Sequence, residues 1–226
     1  MKSKGLRRKA AEIDGILTRL YGRKVAQGEE DPLDTLIETI LSQNTTDRNS
    51  YRSYRALKKE YPRWDLMMGE RPSKIADIIR SGGLADIKAE RILGALEHIK
   101  RVSGKLDLDF LRKLSPQDAD AWLSHIKGVG PKTRSIVLLF SLKMPAFPVD
   151  THVHRVTRRI GLIGKGTSRE KAQVELARLV PVKEFYNFHI NLIEHGRAIC
   201  QARKPKCSLC RVSRLCDYFN KVVRAS

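Results

Sequence analysis

The stretch Ile126-Lys127-Gly128-Val129-Gly130-Pro131-Lys132-Thr133 joins two helical patterns through a tight glycine turn. Two glycines allow positive φ angles and a close approach of a ligand to the backbone. Pro131 suits the first position of a helix, whose unpaired N–H groups form a ready anion site. The stretch predicts a helix-hairpin-helix that binds a DNA phosphate through backbone amides, with an ordinary helical hairpin ended by glycine as an equal alternative.

Lys132 adds chemistry to this turn. An amine in the first turn of a helix lies at the positive end of the helix dipole, which disfavours its ammonium form. A lysine that loses its proton more readily can attack the anomeric carbon of a sugar and form a Schiff base. The alternative is a solvated lysine that contacts phosphate, the commoner role in a chain with 44 lysines and arginines.

Asp150 lies in Phe147-Pro148-Val149-Asp150-Thr151-His152, an extended segment that leads into a helix. The commonest role of aspartate there is to cap the helix, which contributes about 1 kcal/mol. A carboxylate at a helix N-terminus also stays ionised, so it can face a developing oxocarbenium charge. The two roles are compatible, because the cap would fix the direction of the carboxylate. His152 is a candidate contact to phosphate or substrate, with a packed histidine as the alternative.

The rest of the chain follows helical periodicity, and alternation with a period of two is hard to find. Three helices are predicted to begin at Asp31-Pro32, Ser115-Pro116 and Pro131, where a cap or an N1 proline precedes an apolar stripe. The pattern predicts an all-α fold. The main predicted stripes are Leu33, Leu36, Ile37, Ile40 and Leu41; Tyr51, Tyr54, Leu57 and Tyr61; Ile87, Ile92, Leu93, Leu96 and Ile99; Ile136, Val137, Leu139 and Phe140; Val153, Val156 and Ile160; Val174, Leu176 and Leu179; and Phe188, Leu192 and Ile193.

The charge balance indicates a polyanionic partner. The 44 lysines and arginines exceed the 25 aspartates and glutamates and give a net charge of +19. Neutralised phosphates release condensed counterions, so nucleic acid is the expected partner, with a merely basic or ribosome-associated protein as the alternative. No apolar run is long enough to predict a membrane span, and residues 1–10 lack the apolar core of a secretory signal.

The chain has four cysteines, Cys200, Cys207, Cys210 and Cys216, in the spacing C-x6-C-x2-C-x5-C. Four thiolates in one small volume predict a metal centre, and soft thiolates select iron–sulfur clusters, zinc or copper(I). Because no cysteine outside this group could form a disulfide with it, an intracellular protein is expected.

Taken in order, the glycine hairpin with Lys132, the Pro-Val-Asp150-Thr-His segment and the four-cysteine loop resemble the endonuclease III branch of the helix-hairpin-helix DNA glycosylases. The resemblance runs from about Asp31 to Cys216. It implies two helical domains with a DNA-binding cleft between them: a six-helix domain at 28–145, and a discontinuous domain at 1–27 and 146–226. The second domain would hold a four-iron, four-sulfur cluster in loop 200–216, with the four cysteines as its ligands. A monomer is expected.

The same resemblance implies the roles of individual residues. Lys132 matches the Schiff-base lysine and Asp150 the catalytic aspartate. Leu84 matches a leucine that wedges into the base stack, and the Gln43-Asn44 pair lies in the loop that fills the space left by the extruded nucleotide. The other implied DNA contacts are Gly128, Gly130, Thr133, His152, Arg203, Lys204 and Lys206.

Two segments depart from the family pattern. The usual Ser-Ala-Gln-Ala-Thr-Asp is Ser42-Gln43-Asn44-Thr45-Thr46-Asp47 here, so either amide could reach the orphaned base and the preferred opposite base stays open. The usual Gly-Val-Gly-Arg-Lys-Thr-Ala is Gly-Val-Gly-Pro-Lys-Thr-Arg, in which Pro131 removes a charge and a donor and Arg134 is expected to return a charge nearby. Adenine-specific relatives lack a lysine at the position of Lys132, which argues against that activity.

The prediction is therefore a bifunctional DNA glycosylase and abasic-site lyase that acts on oxidised pyrimidines in duplex DNA. One alternative is a monofunctional or mismatch-directed glycosylase that releases uracil or thymine opposite guanine. A second is a non-catalytic iron–sulfur or zinc DNA-binding module. The expected location is intracellular and DNA-associated, in the cytoplasm or nucleoid if the source is prokaryotic.

Overall fold

The computed structural model of the chain describes residues 2–26, 28 and 30–223. These residues form helices and turns with no strand among them, which confirms the predicted all-α fold. The α-helices are α1 (Lys2–Tyr21), α2 (Pro32–Leu41), α3 (Asp47–Glu60), α4 (Pro72–Ile79), α5 (Ala85–Ser103), α6 (Pro116–Ser124), α7 (Pro131–Ile136), α8 (Thr151–Ile160), α9 (Arg169–Leu179) and α10 (Phe185–Ala198). Shorter 3₁₀ turns lie at Trp64–Met67, Arg80–Gly82, Asp109–Lys113, Val182–Glu184, Cys207–Leu209 and Ser213–Leu215, and π-helical turns at Val137–Ser141 and Phe219–Val223.

The predicted helix starts are confirmed. Asp31 caps α2, with its Oδ1 accepting from the amides of Leu33 at 2.7 Å and Asp34 at 3.0 Å. Ser115 caps α6 in the same way, through its hydroxyl and the amide of Asp118. Proline follows the cap in α2, α6 and α7, where its missing N–H costs no intrahelical hydrogen bond.

The chain divides into two compact units, Met1–Gln27 with Pro145–Ser226, and Gly28–Met144. The Gly28–Met144 unit is built around α2 and α5, which contact each other. Helix α4 packs against α3 and α5, and α2 also contacts α3 and α7. The fully buried apolar side chains of this unit include Leu36, Ile37, Ile40, Leu41, Leu57, Met67, Ile75, Ile79, Ile92, Leu96, Ile99, Leu111, Leu123 and Val137.

Two predicted apolar stripes are wrong at their first residue in this unit. Tyr51 is 57% exposed and Ile87 is 46% exposed. The buried face of α3 carries Ser50 and Ser53 beside Leu57. Small side chains let α3 come close to its neighbours, and the Ser53 hydroxyl donates to the carbonyl oxygen of Ile79 at 3.2 Å. Close packing therefore decided which face of α3 is buried, and the larger aromatic side chain stays outside.

The other unit combines α1 with α8, α9, α10 and the cysteine loop. Helix α10 packs against α1 and α8, and α1 also contacts α9. Phe147 meets Phe185 edge to face, with 5.3 Å between the ring centroids. In α9, Val174 was predicted on the apolar stripe but is 52% exposed, because Ala172 and Leu176 form the buried face. Among the described residues no helix has the length and apolar character that crossing a membrane requires.

Candidate active site and cysteine loop

The glycine hairpin joins α6 to α7. Gly128 has a φ of +85°, whereas Gly130 has a φ of −82° and is the N-cap residue of α7. The prediction of positive φ is thus right for Gly128 and wrong for Gly130. A Cβ atom built on Gly130 would point into open space with no neighbour within 4 Å. Gly130 is therefore a place where the backbone is open to a ligand, rather than a residue that the turn itself requires.

Lys132 is the second residue of α7 and is half-buried. Helix α7 has 6 residues and continues as the π-helical turn Val137–Ser141. Thr133 is 3% exposed, so only its backbone N–H, in the first turn of α7, remains a candidate DNA contact. Arg134 was expected to add a charge at the hairpin. Instead its Nε donates to Asp120 Oδ1 at 2.8 Å, so this charge is engaged by α6.

The loop with Gln43 and Asn44 is connected to the hairpin by Arg91. Arg91 Nη1 donates to Gln43 Oε1 at 2.6 Å, and Gln43 Nε2 lies 3.5 Å from the carbonyl oxygen of Gly128. The Arg91 side chain also packs on Gly128, where an added Cβ would lie 2.9 Å from Arg91 Cδ. Asn44 is exposed and has a φ of +52°. Of the two amide side chains, Gln43 is held by these contacts, whereas Asn44 is exposed.

Leu84 lies in a strained turn immediately before α5. Its φ of 52° and ψ of 38° belong to the left-handed region, which costs a leucine roughly 1–3 kcal/mol. Its side chain is nevertheless 50% exposed. An apolar side chain that is held in a strained conformation and left exposed is not explained by packing of the core.

Lys88 supports this turn from inside the protein. Its Nζ donates to the carbonyl oxygen of Leu41 at 2.7 Å and to that of Gly82 at 2.9 Å, and the residue is 1% exposed. Burial lowers the pKa of Lys88 below its usual value. Leu41 ends α2, just before the loop of Gln43, and Gly82 lies just before Leu84. One amine therefore fixes the starting points of both loops.

Sequence reasoning missed both Lys88 and Arg91. A signal was available for Lys88, because it falls on the buried stripe of α5 with Ala85, Ala89 and Ile92. A lysine at such a position needs polar partners inside the core. For Arg91 the sequence offers no comparable signal.

Asp150 is the N-cap of α8. Its Oδ1 accepts from the amide of Val153 at 2.7 Å, and the residue is half-buried. His152, two residues on, packs against α10: a Cβ built on Gly196 would lie 3.0 Å from its Nδ1, and Arg155 Nη2 lies 3.0 Å from the same atom. Burial, followed by the nearby Arg155 and Arg197, lowers the pKa of His152, while Asp150 acts in the opposite direction. His152 therefore packs between Gly196 and Arg155.

All four cysteines line one pocket. Among the described residues, the remaining wall is mainly apolar and has no carboxylate side chain; it consists of Arg159, Ile160, His195, Ile199, Pro205, Val212, Ser213, Tyr218 and Phe219. Burial raises the pKa of the Cys210 thiol to about 11 and also raises those of Cys207 and Cys216. A cationic group would therefore be needed to hold these sulfurs as thiolates.

Two arginines of α8, not predicted from the sequence, hold the start of this loop. Arg155 donates through Nε to the carbonyl oxygen of Cys200 at 2.9 Å and through Nη2 to that of Gly196 at 2.9 Å. Arg159 donates to the carbonyl oxygens of Gln201 at 2.6 Å and Ala202 at 3.0 Å, and its Nη1 lies 3.4 Å from Cys200 Sγ. Their spacing of four residues on one helix was the available signal. The predicted cationic contacts, Arg203, Lys204 and Lys206, are all exposed.

Among the described residues, no group of three or more histidine, cysteine, aspartate or glutamate side chains is arranged to hold a single metal ion. In a four-iron cluster each thiolate binds a different iron, so the sulfurs surround a volume rather than one ion. Four thiols around one apolar pocket fit that donor set.

Residues 37–182 match the family described as HhH-GPD superfamily base excision DNA repair protein. A protein of Arabidopsis thaliana whose name proposes a DNA glycosylase is 40% identical over 176 residues, which span 78% of this chain and 60% of that protein. The endonuclease III of Synechocystis sp. is 35% identical over 214 residues, which span 93% of this chain and 92% of that enzyme.

Solved structures give the same picture. A trapped covalent intermediate of endonuclease III with DNA matches with a TM-score of 0.81 and 25% identity, over 99% of this chain and 100% of that one. A thermostable thymine-DNA glycosylase matches with a TM-score of 0.77 and 27% identity, over 98% of this chain and 100% of that one.

Proposed function

Because the chain belongs to the HhH-GPD superfamily of base excision DNA repair proteins and is a DNA glycosylase, we propose that it removes oxidised pyrimidines from duplex DNA as a bifunctional glycosylase and abasic-site lyase. Membership in this family confirms the resemblance inferred from the motifs and sets aside the non-catalytic alternative. The observation that carries the lyase proposal is Lys132, which is half-buried in the first turn of α7, two residues after Gly130, whose backbone is open to a ligand.

The proposed reaction begins with extrusion of the damaged nucleotide, which costs a few kcal/mol. The Lys132 amine, once deprotonated, attacks C1′ as the bond from C1′ to the base breaks and the base leaves with the electron pair. Asp150 stabilises the positive charge that develops on the sugar, and its cap bond to the Val153 amide fixes the direction of the carboxylate. The sugar ring opens to a Schiff base. Loss of a C2′ proton then expels the 3′ phosphate, which cleaves the strand.

Extrusion needs side chains that replace the missing nucleotide in the stack. We assign the wedge to Leu84, whose strained and exposed conformation is otherwise unexplained. Gln43 and Asn44 are the candidates for the space opposite the orphaned base. Gln43 is already held by Arg91 and the hairpin, whereas Asn44 is exposed and more easily redirected.

Cys200, Cys207, Cys210 and Cys216 are proposed to hold a four-iron, four-sulfur cluster, for which the mainly apolar pocket is suited. When bound, the cluster would supply a positively charged core that retains the four sulfurs as thiolates and braces the loop. Arg155 and Arg159 anchor the start of the loop to α8. Arg203, Lys204 and Lys206 would then face a DNA phosphate as exposed cations.

Borohydride trapping tests the lyase proposal. The protein is incubated with duplexes that contain thymine glycol, uracil opposite guanine, or a preformed abasic site. A covalent adduct with thymine glycol that disappears in Lys132→Gln is expected, because glutamine cannot form a Schiff base. The variant should still bind the duplex. Trapping that persists in Lys132→Gln would exclude this lysine as the nucleophile.

A mismatch-directed glycosylase is the second candidate, and the match to a thymine-DNA glycosylase supports it. It predicts release of thymine or uracil opposite guanine without any trapped adduct on the lesion duplex. The trapping experiment separates the two candidates. Only the bifunctional enzyme forms a Schiff base as it releases the base, and borohydride reduces that Schiff base to a stable covalent adduct.

A further inference from the structure

Helix α3 presents a row of cations that neither the fold nor the proposed chemistry uses. Arg48, Arg52, Arg55 and Lys59 are all exposed. At about 3.6 residues per turn, these four positions fall within an arc of about 60° on one face of the helix. We call this face, with the neighbouring Tyr51, the α3 cationic face.

The opposite side of α3 is the buried side. Ser50, Ser53 and Leu57 are packed into the Gly28–Met144 unit and lie about half a turn away from the cations. The α3 cationic face therefore points outward because its reverse is fixed in the core.

Among the described residues, no acidic side chain forms an ion pair with these four cations. Lys58, on the flank of the same helix, does pair with Asp34 at 2.9 Å. Tyr51 is 57% exposed, and the Arg55 guanidinium lies 5.9 Å from the centre of its ring. Four like charges on one face repel each other unless an anion neutralises them.

The spacing of the cations fits a strand of duplex DNA. Arg48 and Lys59 are eleven residues apart, a rise of about 16 Å along the helix, which corresponds to about five base-pair steps of duplex. The row also begins next to the proposed DNA surface, because Thr46 caps α3 directly after the loop of Gln43 and Asn44. A DNA duplex that contacts the loop of Gln43 and Asn44 is therefore within reach of Arg48.

We propose that the α3 cationic face binds the phosphate backbone of the duplex that flanks the lesion. This extends the proposed function from the lesion to the neighbouring DNA and adds a contact without base selectivity. Arginine suits this role, because its planar guanidinium can donate two parallel hydrogen bonds to one phosphate.

The test is the salt dependence of binding to an undamaged duplex, so it does not require base release. In the test variant Arg48, Arg52, Arg55 and Lys59 are all changed to Gln, which keeps helix propensity. The matched control changes Lys165, Arg169, Lys171 and Lys183 to Gln; these cations are also exposed and form no ion pair among the described residues, so the net charge falls equally. Circular dichroism checks that each variant is folded.

Each phosphate contact contributes about 0.9 to the slope of log K against log salt. The slope of the test variant should fall by about 3 to 4 in magnitude, and that of the control by less than about 1. The gain in affinity from lengthening the duplex from about 10 to about 30 base pairs should also shrink in the test variant alone.

An equal fall of the slope in both variants, or an unchanged slope in the test variant, would overturn the proposal. Loss of RNA binding with intact duplex DNA binding would overturn it as well. Failure of the trapping experiment would leave this result untouched, so the two proposals fail separately.

Discussion

Asp14 is a single residue whose negative charge lowers the stability of the folded protein. The carboxylate accepts from Asn187 Nδ2 at 2.8 Å, in the contact of α1 with α10. Burial, and next the nearby Glu184, raise the pKa of Asp14 to about 6, although Arg23 and hydrogen bonds act in the opposite direction. The folded protein therefore binds this proton more tightly than the unfolded chain does. Ionised Asp14 destabilises the fold above about pH 6, and the penalty is relieved as the pH falls towards about 4.

We expect Asp14→Asn to raise the free energy of unfolding at neutral pH. Asparagine keeps the Oδ1 acceptor for Asn187 and removes the buried charge. Denaturant titrations of the variant and the parent at about pH 7.5 and about pH 4 measure the difference, which should be positive at the higher pH and shrink at the lower. A gain of equal size at both pH values would point to packing rather than to the charge.

Lys132 and Asp150 are also single residues whose surroundings are determined locally. Each could be picked out as a candidate from local sequence alone, because a helix start determines both the cap and the dipole around it. The structure agrees locally: Lys132 lies in the first turn of α7 and Asp150 caps α8. Their catalytic roles are what the trapping experiment tests.

Between elements, the loops that surround the candidate site depend on two internal connections. Lys88 reaches from α5 to the carbonyl oxygens of Leu41 and Gly82. Arg91, one turn later on α5, joins Gln43 to the glycine hairpin. Helix α5 therefore acts as the common support for the Gln43 loop, the Leu84 turn and the hairpin.

Replacement of Lys88 by Met should destabilise the protein by about 2 kcal/mol or more, because two buried carbonyl oxygens lose their donor. Lys100→Met is the matched control: Lys100 lies on the same helix and donates to the carbonyl oxygen of Gly104 at 3.0 Å, but it is exposed. The control should cost less than about 0.5 kcal/mol. Chemical denaturation of both variants gives the two values, and equal losses would show that burial of Lys88 contributes nothing.

At the scale of the whole molecule, the two compact units differ in how the chain forms them and in what holds them together. The Gly28–Met144 unit is continuous in sequence and has a core of aliphatic side chains. The other unit joins the beginning of the chain to its C-terminal part, where α1 packs on α10 and Lys9 pairs with Asp217 at 2.8 Å. The cysteine loop of this unit contains mainly short 3₁₀ turns, so we expect a bound cluster to contribute much of its order.

Substitution of Cys210 by Ser is therefore expected to loosen the unit that contains the cysteine loop. Hydrogen exchange should become faster in the loop and at the ends of α8 and α10 that hold it, and remain unchanged in residues 30–144. Ser208→Ala, an exposed change in the same loop, is the control. Faster exchange throughout both units, or none at all, would contradict a local stabilising role of the cluster.

The sequence by itself determined the local features of this protein. Helix starts at Pro32, Pro116 and Pro131, the turn at Gly128 and the cysteine spacing all depend on a few neighbouring residues. Caps, proline geometry and glycine torsions act over that range, so the all-α class and the principal candidate residues could be predicted.

Only the tertiary structure decided which side of each helix is buried and which charges are paired. It left Tyr51 and Ile87 exposed, placed Lys88 in the core and paired Arg134 with Asp120. These outcomes depend on partners far apart in sequence: Lys88 meets Leu41 across 47 residues, and Arg155 meets Cys200 across 45. Side-chain partners at such separations are selected by how whole helices pack together, and periodicity within one helix carries no information about that packing.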